Sequence, residues 1–306
     1  MSQRPSLSAR GSGTGTGKYF AVLGLAALAY VVATWLSPVG DNRFGLSLVQ
    51  IRLLRSVLVL PVIAIWGLAV FGASRFKAYS RTIKESQDGR ALDRLSNGLL
   101  VIAAGLIISS LFASLRGWAV GLNLTEGFTI TANYLLLVFP LVGFGLMFIG
   151  SRQLLRVAAA KRLDPRIWLV LAMLAAIIYV YARGITSNGT TGASYLPPAW
   201  LWLTVVVPYI LTWLLGAGTI INLGTYQRAV KGIIYRKVLR LLTLGLYVVV
   251  SFSIGLQLLA LLQGQWQTAG LGWRLAALGL VLAFYGLGYL LIAAGAKRLA
   301  KIEAAH

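Results

Sequence analysis

The sequence has no cysteine. Disulfides, thiolate metal sites, iron–sulfur clusters and thiol catalysis are therefore excluded. Its one histidine is the last residue, His306. No imidazole-ligated metal or bis-histidine haem can be built from that inventory. Acid is scarce as well: seven Asp and Glu stand against 28 Lys and Arg, a formal charge of +21. The acidic residues are Asp41, Glu85, Asp88, Asp93, Glu126, Asp164 and Glu303, all outside the apolar runs described below. Ion-coupled transporters and proton pumps usually hold a carboxylate within the membrane, so proton coupling is disfavoured. The apolar runs also contain no lysine, which disfavours a retinal Schiff base. No cofactor, metal or enzymatic activity is expected.

What fills the chain instead is hydrocarbon. Of 306 residues, 58% are hydrophobic and 11% charged, whereas soluble domains carry about 25% charged residues. The apolar residues fall in runs of about 20, long enough to cross roughly 30 Å of hydrocarbon as helices. The reading is an all-α polytopic membrane protein with eight transmembrane helices, near 19–37, 55–74, 95–115, 130–150, 167–185, 199–222, 241–263 and 274–296. The basic residues test that count. With eight spans, 22 of the 28 Lys and Arg collect on one side and 6 on the other. The positive-inside rule then places both termini in the cytoplasm, in a plasma (inner) membrane. The same rule accounts for the net charge without nucleic acid. Anionic lipid head groups at the cytoplasmic face are the expected partners, and the sequence leaves homo- or hetero-oligomers open.

Residues 1–18 are polar and basic and read as a disordered cytoplasmic tail. Within them GSGTGTGK resembles a phosphate-binding loop in composition only. Ser12 stands where the motif needs glycine, Tyr19 where it needs Ser or Thr, and no strand precedes it.

The most informative feature is a stretch that occurs twice. Val59–Val101 aligns with Val206–Val248 without a gap, and 13 of the 43 pairs are identical. They include Pro61/Pro208, Trp66/Trp213, Tyr79/Tyr226, Arg81/Arg228, Lys84/Lys231 and Gly98/Gly245. Apolar segments match Leu and Val by chance, but not Pro, Trp, Tyr, Arg, Lys and Gly in one register. The reading is an internal duplication extending over both halves. Spans 1 and 5 share Tyr30/Tyr179, and spans 4 and 8 share Gly145/Gly286, with Phe144/Tyr285 and Phe148/Tyr289 as aromatic pairs. The units are two parallel four-helix repeats, 19–156 and 157–306. Four spans per unit is even, so both repeats insert with the same orientation, related by an axis along the membrane normal.

The matched residues supply the candidate site. Pro61 and Pro208 each remove a helix hydrogen bond, which predicts kinks or hinges in spans 2 and 6. Trp66 and Trp213 lie near mid-span, where tryptophan packs within a bundle or lines a cavity. Tyr247 and Ser251, with Thr243, form a polar face along span 7. The motif Tyr-x-Arg-x-x-Lys (Tyr79, Arg81, Lys84; Tyr226, Arg228, Lys231) falls at the cytoplasmic ends of spans 2 and 6, where it would contact anionic head groups. Gly98 and Gly245 open small-residue rows suited to close helix approach. Glu85, Asp88 and Asp93 read as a solvated loop present in the first repeat only. Arg52 and Arg55 read as outer-edge residues that snorkel. Three classes of function fit: a permease or channel-like protein for a small neutral or anionic solute; a non-enzymatic subunit or scaffold of a membrane complex; and a lipid-binding or lipid-modifying protein. The first is favoured, and it predicts a midplane cavity bordered by spans 2, 3, 6 and 7.

Overall fold

A computed structural model describes residues 14–37, 47–83, 85–121, 125–157, 203, 207–230, 232–261 and 271–303. These residues form seven helices: α1 (Thr14–Leu36), α2 (Leu48–Thr82), α3 (Gln87–Gly121), α4 (Thr125–Val157), α5 (Val207–Ala229), α6 (Ile233–Leu261) and α7 (Leu271–Glu303). Six of them, all but α6, hold stretches long and apolar enough to cross a membrane. In α6 the cations Arg236, Lys237 and Arg240 crowd the first turns. Every described element is a helix, and the apolar helices make the chain a multi-pass membrane protein. The predicted fifth span, 167–185, lies outside the described residues. α1 begins at Thr14, inside the predicted tail.

Burial follows the same logic. Large apolar side chains face outward along the helices: Leu25 and Leu60 are both 70% exposed. In water such a surface would aggregate; in lipid it is the solvated face. The helices α2 and α3 have 35 residues each. At about 1.5 Å per residue they extend roughly 52 Å, well past the hydrocarbon. Part of the excess lies at one end of the bundle, where Arg75, Arg81, Arg90, Arg94, Arg152 and Arg156 are all exposed. We call this the basic end.

The helix ends are set by local chemistry. Ser47 caps α2: its Oγ accepts from Gln50 N, while Gln50 Oε1 accepts from Ser47 N at 2.8 Å, a reciprocal capping box. Ser86 caps α3 by accepting from Gly89 N at 2.9 Å. Arg55 differs from expectation. α2 starts at Leu48, so Arg55 is well inside a helix and half-buried. Its Nη1 donates to Ser37 O at 2.8 Å and Thr34 O at 3.4 Å, satisfying carbonyls that the last turn of α1 leaves open. Arg52 lies over the Trp35 ring at 5.7 Å. Arg236 does for α5 what Arg55 does for α1, donating from Nη2 to Val230 O at 2.7 Å and from Nε at 3.2 Å.

Helix pairing follows a regular pattern. α3 packs along α4 and α6 along α7; α2 packs on α3 and α5 on α6; α2 also packs on α7 and α4 on α5. The close approaches at glycines are alike too. A Cβ on Gly98 would meet Gly143 O at 2.5 Å and Met147 N at 3.1 Å. A Cβ on Gly245 would meet Gly288 O at 2.6 Å and Ile292 N at 3.1 Å. Gly150 likewise sits against Ala91 O and Leu95 N, and Gly295 against Val238 O and Leu242 N. At Gly98, Gly245 and Gly150 only hydrogen fits, and at Gly295 a methyl would be tight. The like positions are therefore Gly143 and Gly288, and Gly150 and Gly295. This lies one helical turn from the Gly145/Gly286 pairing expected from the sequence. A Cβ on Gly145 or Gly286 would find no atom nearer than 3.8 Å, so neither glycine marks a crossing.

Candidate functional site

A cavity of about 220 Å³ lies between α3, α4, α5, α6 and α7. Ser109, Phe144, Tyr209, Thr212, Trp213 and Tyr285 stand among its walls. Tyr209 and Trp213 occupy the first two turns of α5, with ring centroids 6.3 Å apart. The lining residues of α3, α4, α6 and α7 lie near the middle of those helices, so the cavity sits at mid-bundle. Two of its hydroxyls are engaged as donors by their own helices: Ser109 Oγ donates to Leu106 O at 3.0 Å and Thr212 Oγ1 to Pro208 O at 2.7 Å. No Lys, Arg, Asp or Glu is among the described lining residues.

The predicted borders are corrected in part. α3, α5 and α6 contribute as expected, but α4 and α7 replace α2. Trp213 lines the cavity. Trp66 instead is fully buried, its ring 4.9 Å from that of Tyr30 on α1. Its Nε1 has no hydrogen-bond partner among the described residues. Pro61 is inside α2, half-buried and away from the cavity. Pro208 is the second described residue of α5. The preceding helical turns that a kink at Pro208 would need lie outside the described residues. Tyr247 is 58% exposed and Ser251 is exposed. The polar face of α6 points out of the bundle, and Val249 and Val250 reach the cavity in its place. Pro140, inside α4, also lines the wall. Its proline marks it in the sequence, but it has no matched partner and so escapes a comparison of the repeats.

Below the cavity the bundle closes. Gly216, Gly218, Thr219, Asn222 and Leu223 of α5 are all buried. Asn222 Nδ2 donates to Ser151 Oγ of α4 at 3.1 Å. At the basic end two polar clusters follow. In the first, Lys77 Nζ pairs with Asp93 Oδ1 at 2.5 Å and donates to Asn97 Oδ1 at 2.7 Å. Ser80 Oγ and Asn97 Nδ2 donate to the same carboxylate at 3.2 Å. In the second, Tyr226 Oη donates to Asp88 Oδ1 at 3.5 Å and its ring meets Tyr235 edge-on at 6.4 Å. Desolvation by burial, and then the neighbouring Tyr226, Tyr79 and Asp88, push the Tyr235 phenol well above its usual range. It therefore stays protonated across the neutral range.

These clusters overturn the solvated-loop expectation. Asp88 and Asp93 belong to α3 and are held by partners across helices, while Glu85 is exposed in the turn. The Tyr-x-Arg-x-x-Lys motif also separates by face. Tyr226 is 4% exposed and Tyr79 is packed against the core, whereas Arg81 and Arg228 are exposed. Lys84 and Lys231 lie outside the described residues. Among the described residues no group of His, Cys, Asp and Glu is placed to hold a metal ion. No protein-family model, curated protein or solved structure matches the chain.

Proposed function

We propose that the protein is a permease or channel-like carrier of a small neutral solute, built from two parallel four-helix repeats with eight spans. The cavity carries the reading: about 220 Å³ between helices from both halves, free of charged side chains among its described walls. The like helix pairings and the like glycine crossings support the duplication, and duplicated bundles place solute sites between their halves. The arrangement along α5 supports a gated path. Trp213 at the cavity and Tyr226 at the basic end are 13 residues apart, about 20 Å of helix, with buried side chains between them. A cavity at mid-bundle with a packed layer between it and the basic end fits one state of an alternating-access cycle. A charged solute would meet no counter-charge on the described walls, so neutral solutes are favoured over anionic ones.

In this reading the basic end faces the cytoplasm of a plasma (inner) membrane, with Arg81 and Arg228 against anionic head groups. No catalytic chemistry is assigned. The test is flux into proteoliposomes. The reconstituted chain should accelerate uptake of at least one small neutral solute several-fold over protein-free liposomes, and Thr212→Phe should abolish the gain while Leu290→Ala keeps it. Flux that matches empty liposomes across a broad panel removes the proposal. A second reading, a subunit of a membrane complex, draws on the dense small-residue packing at the basic end. It predicts that native mass spectrometry from gentle detergent finds the chain bound to another protein.

A further inference from the structure

The walls of the cavity say more about the guest than its neutrality. Five aromatic side chains surround it: Phe144, Tyr209, Trp213, Tyr285 and Tyr289. Tyr285 and Tyr289 stack with their rings 17° from parallel. Aromatic faces and edges favour another ring, which they meet in offset or edge-on geometry. The size agrees. A dry apolar cavity of about 150 Å³ takes up benzene, and this one, at about 220 Å³, has room for a ring with a substituent or a fused second ring. Two of the hydroxyls on the walls set one further requirement. Ser109 and Thr212 spend their hydroxyl protons on Leu106 O and Pro208 O. What their oxygens still offer is lone pairs, so the complementary guest brings a donor. A carboxylate would find no cation among the described walls. A quaternary ammonium would find ring faces but would leave the two acceptors unpaired and bring no N–H.

We infer that the cavity binds a neutral aromatic molecule bearing one N–H or O–H donor, of the size of indole or a substituted phenol. The inference rests on the permease reading for its place in a transport cycle, and on the cavity alone for its chemistry.

The test measures binding, not flux. The full chain in lipid nanodiscs is dialysed against radiolabelled indole, with empty nanodiscs of the same lipid as the partition blank. Saturable uptake above the blank, approaching one indole per chain, is expected. Phenol should compete; benzoate and phenyltrimethylammonium should not. Ser109→Leu and Val249→Phe fill the cavity from two helices, and each should weaken indole binding at least tenfold; gel filtration of each variant in the same nanodisc establishes that it is folded. Using two variants keeps the test intact if one of them misfolds. Uptake no greater than the blank overturns the inference. So does competition by benzoate or the ammonium equal to that of phenol, and so does undiminished binding in folded, filled variants. The two proposals part cleanly. Saturable indole binding without flux of any solute keeps the inference and removes the permease. Flux of a ring-free solute without indole binding does the reverse.

Discussion

Trp66 and Trp213 occupy matched places in the two aligned sequence stretches and lead different lives. Trp66 is wholly enclosed, with Tyr30 of α1 tilted against it. Trp213 is only half-buried and forms part of a cavity wall. The same indole in the same register is a packing element in one half and a lining element in the other. The basic end behaves likewise. Asp88 and Asp93 of the first half stand where the second half has Tyr235 and Arg240. The first half gains an ion pair, Lys77–Asp93, that the second cannot form because Gly224 and Arg240 stand at the matched positions. Shared residues thus hold the helices at their crossings, and unshared ones decide where the bundle is solid and where it is open.

Truncating the two tryptophans puts the largest strain on this contrast. Trp66→Ala empties a fully packed site and should cost about 3–5 kcal/mol. Trp213→Ala removes a side chain that already borders open volume and should cost about 1–2 kcal/mol. Reversible unfolding in mixed detergent micelles measures both. Equal costs would mean that the two sites are equally packed, and the contrast would fall.

Next in size is the ion pair. Lys77 is 14% exposed and Asp93 33%. Lys77→Met strands the carboxylate, at about 1–3 kcal/mol, reduced from the fully buried case because a third of Asp93 still reaches solvent. Adding Asp93→Leu should recover most of that loss, since a stranded charge costs more than no charge. If the double variant is no better than the single one, the pair contributes net stability that its matched half lacks.

The glycines test the likeness rather than the difference. Gly98→Ala and Gly245→Ala each drive a methyl into a backbone carbonyl of the facing helix and should each cost about 1–3 kcal/mol. The two values should agree, because the atoms in the way are alike. Gly67 meets nothing within 4 Å, so Gly67→Ala should be stabilising by about 0.5–1 kcal/mol. A large cost on one side of the Gly98/Gly245 pair alone would show that like geometry hides unlike packing.

Much of this is legible in the sequence, for physical reasons that can be named. Runs of about 20 apolar residues leave little alternative to membrane helices, and the glycines at crossings are marked because lipid-exposed helices associate through close contact. Trp213 as a cavity residue is readable to the extent that mid-span tryptophans face inward. Which of the two tryptophans stays open is not, since Tyr30 and Tyr179 are the same residue at matched positions. The outward face of Tyr247 is hidden because an i, i+4, i+8 row fixes which residues share a side and not where that side points. The role of Asp93 is hidden because its partner lies 16 residues away on the preceding helix, and a turn between two helices has no periodicity from which to infer the pairing. The register of α4 against α7 is ambiguous by one turn because four-residue shifts preserve helical face.

A small expected energy belongs to the most specific test. Tyr226→Phe deletes one hydroxyl, the donor to Asp88, and should change stability by about 1 kcal/mol. If the tyrosine cluster seals the basic end, the consequence is access. The sequence has no cysteine, so Thr219→Cys introduces a single thiol into the buried layer between cluster and cavity. In the otherwise native chain a membrane-impermeant maleimide added at the basic side should label it slowly. Combined with Tyr226→Phe or Asp88→Asn, labelling from that side should rise several-fold, while labelling from the opposite side should hold steady. An equal rise from both sides would mean that the bundle has loosened as a whole. No rise at all would make the cluster a structural tie between the halves, and the seal would then reside in the packed leucines, Leu223, Leu242 and Leu246, that lie deeper in the core.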